Sequence, residues 1–139
     1  MKAPDYIEPI VAWRIWRRDF QPLTFDGVWD TEGWNEASCR IPPPSFHPRE
    51  GVPHPRCGCG FWCFRTIEDL FAALTLCVII PRQKLLGQVE IKGKVIEGDK
   101  GGYRAQYARI LLDTVRPLEE VWPVKYRILS DLVDVKAKR

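Results

Sequence analysis

Between Tyr6 and Arg18 the chain alternates, with Val11, Trp13 and Ile15 set against Ala12, Arg14 and Trp16. A period of two carried by β-branched and aromatic residues predicts a strand. Leu23 to Phe25 can add a short second strand, and Gly27, Asp30, Gly33 and Asn35 mark residues 26–38 as loop. From residue 66 the period changes. Ile67, Leu70, Phe71, Leu74 and Val78 follow the i, i+3, i+4, i+7 spacing of a helix with one buried stripe. Thr66 is placed to cap it, Asp69 sits at the reciprocal position of a capping box, and Pro81 ends it. Cys77, on or near the stripe, is expected as a small core residue. The period then returns to two. Leu85, Val89, Ile91 and Val95 share one face, and Gln88, Glu90, Lys92 and Lys94 share the other. The GDKGG of residues 98–102 has turn chemistry, and YRAQYARIL from Tyr103 returns as the second arm of a hairpin. Gly87 and Gly93 fall on the apolar face, where they mark bulges or close packing. Residues 123–133 predict a further helix, and residues 134–139 a basic tail.

Residues 41–56 are different material. Half of the chain's twelve prolines lie there, so the stretch is predicted to be an extended loop without helix. The fold class expected is α+β: a mostly antiparallel sheet, one or two helices, and a metal-pinned proline-rich loop. The 139 residues suit a single domain spanning 1–139, with enough chain to bury a real core.

Composition changes this picture little. Apolar residues make up 45% and charged residues 28%, ordinary globular values, and the formal net charge is +3. A bias this small permits a nucleic-acid partner without arguing for one. The opening MKAPDYIEPI has no apolar run of signal-peptide length, and the longest apolar run, Leu70 to Ile80, is about half of what a bilayer needs. A cytoplasmic protein without membrane partner is therefore expected. In that compartment thiols stay reduced, so clustered cysteines read as metal ligands and no disulfide-linked partner is expected.

The cysteines are clustered. Of five in the chain, Cys39, Cys57, Cys59 and Cys63 fall within residues 39–63, together with both histidines, His47 and His54. Zinc takes four soft or borderline ligands in a tetrahedron. Cys57 and Cys59, one glycine apart, can turn two thiolates onto one ion, and Cys39 can supply a third from the start of the proline loop. The fourth ligand is His54 or His47. His54 is the choice here because its closeness to Cys57 tethers the loop tightly. The spacing is not that of an iron–sulfur site. Cys63, beside Trp62 and Phe64, reads as a packed thiol, with a place in the ligand set instead of a histidine as the alternative. Nothing in the pattern supports Cys59 or Cys63 as a nucleophile with His54 as base, and no catalytic residue is assigned.

The run Trp13-Arg14-Ile15-Trp16, the Cys57-Gly58-Cys59-Gly60-Phe61-Trp62 segment and Gly102 to Ala108 (GYRAQYA) together resemble a group of small uncharacterised prokaryotic proteins. That group shares W-R-x-W, C-x-C-G-aromatic and G-Y-R-A motifs. The resemblance covers roughly residues 10–110. It implies a metal role for Cys39, Cys57 and Cys59 and carries no activity with it. This chain departs in its longer proline loop and second histidine.

Two further features bear on possible partners. Trp16 with Arg14, Arg17 and Arg18 could form a stacking platform for single-stranded nucleic acid, although arginines on a solvated strand face need no such role. Tyr103, Arg104 and Tyr107 could face Glu97 across the hairpin, most simply as a cross-strand ion pair. With four ligands to hand and no H-E-x-x-H or H-x-E motif, the sequence favours a zinc-stabilised, non-enzymatic module. Such a module would bind protein or nucleic acid as an accessory subunit of a larger assembly. The alternative is a metal-dependent enzyme of unknown reaction.

Overall fold

The structure is a computed structural model, and it describes residues 5–20, 29–39, 52–54, 57–76 and 82–122. The expected strand at Leu23–Phe25, His47, Cys77, the helix over 123–133 and the basic tail lie outside the described residues.

Five strands and two helices follow in order: β1 Asp5–Arg17, β2 Asn35–Glu36, β3 Phe61–Phe64, α1 Ile67–Leu76, β4 Lys84–Glu97, β5 Gly102–Pro117 and α2 Leu118–Val121. A short 3-10 turn, Arg18–Phe20, closes β1. All pairings are antiparallel, so the α+β class expected from the periodicities holds. The long hairpin β4–β5 is the frame. β4 also bonds to β1, and β3 bonds to both β5 and β1, so four strands close a small ring. β2 continues the β3 edge of β5, opposite Tyr107 and Ala108. The register shifts in β4–β5 fall at Leu86/Gln88 and Lys92/Val95, on the two glycines that the pattern marked as bulges. Each bulge bends the hairpin, and bending is what brings its far strands round to close.

Closure gives the sheet two buried faces. Inside the ring lie Ala12 and Trp16 of β1, Phe61 and Cys63 of β3, Val89, Ile91 and Val95 of β4, and Tyr103, Ala105, Ala108 and Ile110 of β5. Trp29 joins them, edge-on to Trp16 at 5.5 Å and tilted on Phe61 at 4.5 Å. Outside, Ile15, Leu86 and the helical residues Leu70, Phe71 and Leu74 pack with Leu118 and Trp122, and Trp13 and Phe64 lie against them. The stripe read from the sequence therefore holds for Leu70, Phe71 and Leu74, all buried. The cap also holds, because the Asp69 amide donates to Thr66 Oγ1 at 3.1 Å.

Four elements correct the sequence reading. β1 was expected to turn Trp13 inward and its arginines to solvent. Instead Arg14 is only 3% exposed and shares the interior face with Ala12 and Trp16. Its Nη1 donates to the Trp62 carbonyl at 2.7 Å, and its guanidinium lies 4.4 Å from the Trp29 ring centroid. The seam between β1 and β3 has one backbone register pair, Trp13 with Phe64, and Arg14 ties the strands beside it. β3 itself has no period to reveal it: FWCF is four apolar residues in a row, although only Phe61 and Cys63 are buried and Trp62 is exposed. β2 sits inside what the turn residues marked as loop, and α2 begins at Leu118, ahead of the helix expected from residue 123.

Candidate metal centre

The residues before β3 form the site. The Cys57 amide donates to the His54 carbonyl at 3.1 Å and ties Cys57 back to His54. The chain then enters β3 through Gly60, whose φ is +105°. A Cβ there would stand 2.9 Å from Pro53 Cβ and 3.3 Å from both the Ala105 carbonyl and Arg104 Cβ, so only glycine fits. Gly58, between the two cysteines, has nothing near a Cβ position. The turn thus depends on the glycine after the pair, not on the one between them.

Cys39 arrives from the segment after β2, where the Ala37 amide donates to the Gln106 carbonyl at 2.8 Å and holds that segment against β5. Its Sγ lies 3.7 Å from Cys57 Sγ. The ligand atoms of Cys39, Cys57 and Cys59 all lie within 4.8 Å of one another, and all three residues are half-buried. This group can hold a metal ion. None of these cysteines is joined in a disulfide. Burial pushes the Cys59 thiol up to about 11, the Cys57 and Cys39 sulfurs push it the same way, and a hydrogen bond with the His54 backbone opposes them. A thiol held protonated this firmly is a poor nucleophile, whereas a cation among the three sulfurs would draw the protons off.

His54 takes part through its backbone carbonyl, while its half-buried imidazole lies outside the trio of mutually close ligand atoms. Cys63 is buried in the ring interior, as a packed thiol should be. Of the four residues weighed for nucleic-acid contact, Arg14 and Trp16 are core residues and cannot stack on a base, whereas Arg17 and Arg18 are exposed.

No protein-family model, curated protein or solved structure matches this chain.

The function of the centre therefore rests on its own geometry, and there one residue was misread from sequence and another, Trp62, had no reading at all. Arg104 does not pair with Glu97, which faces Arg65 at 3.7 Å. Arg104 Nη1 instead donates to the carbonyls of His54 and Cys59, each at 3.1 Å, and to that of Cys57. Trp62, its partner across β3–β5, stacks on the guanidinium at 5.5 Å and donates from Nε1 to the Gly58 carbonyl at 2.9 Å. Strand alternation puts Arg104 on the outer face of β5, but only the pairing with β3 puts that face beside the cysteine turn.

Proposed function

We propose that the chain is a small zinc-stabilised module without a reaction of its own, an accessory subunit that binds protein or nucleic acid within a larger assembly. One observation carries the reading: thiols from two segments 18 residues apart, Cys39 and Cys57, converge with Cys59 on one point. Zinc bound tetrahedrally at about 2.3 Å spaces its sulfurs about 3.8 Å apart. The 3.7 Å between Cys39 and Cys57 Sγ suits it. His54, in the same turn, is the fourth ligand proposed, with His47 the alternative. A centre closed by four protein ligands leaves no position for a substrate, which favours the module over a metal-dependent enzyme. For a partner, the accessible cation–aromatic surface is on the outer face of β4 and β5. There Lys92 Nζ lies 4.1 Å and the Arg109 guanidinium 4.8 Å from the Trp34 ring centroid.

Protein purified without chelators should carry about one zinc per chain by elemental analysis. Metal-free protein of full solubility that takes up none would refute the reading. Cobalt replacement separates closed from open centres: a thiolate spectrum unmoved by added anions supports the module, and one that shifts with anions indicates an exchangeable position. His54→Ala losing zinc while His47→Ala keeps it assigns the fourth ligand. Affinity capture of the tagged chain, with and without nuclease, tells a protein partner from a nucleic acid.

A further inference from the structure

Three carbonyls of the cysteine turn, those of His54, Cys57 and Cys59, point at one nitrogen of Arg104. A fourth, that of Gly58, is taken by Trp62 Nε1. Nη1 has two hydrogens for three oxygens, so at least one is shared, and the three peptide planes are fixed together rather than singly. The two side chains come from β5 and β3 and are paired across the sheet, with the guanidinium stacked on the indole. The turn is thus anchored to the closed ring. The charge also has a reason to be there. Three thiolates around a divalent cation leave a net negative charge, and a guanidinium just behind the ligand backbone offsets it without competing for the metal.

We propose that Arg104, assisted by Trp62, is the positioning residue of the metal centre. It holds His54 and residues 57–59 in their ligating arrangement before metal arrives, so that the folded chain takes up zinc without refolding. The inference rests on the zinc reading above and adds to it the residue that decides affinity. A metal that shaped its own turn would need no such clasp. Outer residues that orient metal ligands typically change affinity about 10- to 100-fold when replaced.

The test is competition of full-length, metal-stripped protein against a chromogenic zinc chelator, with cobalt spectra taken in parallel. Arg104→Gln should bind zinc about 10- to 100-fold more weakly and give an altered cobalt–thiolate band. Arg104→Lys, which keeps the charge but not the planar fork, should recover part of the loss. Arg116→Gln is the control, on β5 and away from the proposed surfaces, to which Arg109 belongs. It removes an exposed arginine of the same strand, registered opposite Leu86 of β4, and should bind as wild type. Should Arg104→Gln fail to fold, Trp62→Phe keeps the stacking ring but loses the Gly58 bond, and a several-fold weakening is expected. Wild-type affinity and spectrum in Arg104→Gln, or in both Arg104→Lys and Trp62→Phe, would overturn this inference alone. Failure of the wild type to bind zinc or cobalt would overturn the zinc reading and this one with it.

Discussion

Around Leu70, Phe71 and Leu74 the helix is held by burial of apolar side chains against Ile15, Leu86, Leu118 and Trp122. Residues 54 and 57–60 are held by carbonyls on a guanidinium, an indole N–H on a carbonyl, and three thiols around one point. The first kind of attachment is non-directional and tolerates small shifts, since it scales with area removed from water. The second is directional and fails when one donor moves. The difference implies that the helical layer carries stability and the cysteine turn carries the chemistry, and that damage to one should spare the other.

The largest effect should come from the apolar side. Leu70, 1% exposed, leaves a cavity when replaced by alanine. Leu70→Ala should cost about 2–5 kcal/mol in denaturant unfolding, with metal stoichiometry unchanged in the folded fraction. If zinc is lost in step with stability, the two regions are not separable. Next is the metal itself. With free zinc at a hundredfold its Kd, the loaded form should gain about 2.7 kcal/mol over the stripped form. Cys57→Ser should lose that gain and the zinc, and its turn should become protease-sensitive. The β4–β5 hairpin and α1 should keep their amide-exchange protection. Global loss of protection on metal removal would break the comparison.

Gly60→Ala sharpens it. The positive φ and the 2.9 Å approach to Pro53 should cost about 1–3 kcal/mol and weaken zinc binding, while Gly58→Ala should do neither. The smallest effect is on pH dependence. The Cys59 thiol ordinarily ionises near 9.0 and is raised to about 11 in the fold, chiefly by burial. The unfolded chain therefore releases this proton first as pH rises. The metal-free protein should hold its full stability below pH 9 and lose part of it between 9 and 11. Zinc-loaded protein, with its ligands already deprotonated, and metal-free Cys59→Ser should both lack this slope. A slope that persists in Cys59→Ser would assign it to another group.

Local pattern decided a good deal. Periods of two and of 3.6 located β1, α1 and the β4–β5 hairpin, because one-sided burial leaves a periodic trace. Thr66 was legible as a cap, and Gly87 and Gly93 as bulges, because each acts on its own backbone. The crowding of Cys39, Cys57 and Cys59 pointed to a metal-binding group because few other pressures gather thiols in one stretch. What the tertiary structure alone decided has a common cause in ring closure. β3 is four apolar residues with no period in the sequence, although the fold buries Phe61 and Cys63 and leaves Trp62 exposed. Arg14 reads as a solvated residue until the ring encloses its face of β1. Arg104 reads as a hairpin ion-pair partner until β3 comes alongside β5 and brings the cysteine turn within its reach. Each of these roles depends on which strands become neighbours, and that is settled by long-range pairing, to which the residues nearby in the chain contribute no signal.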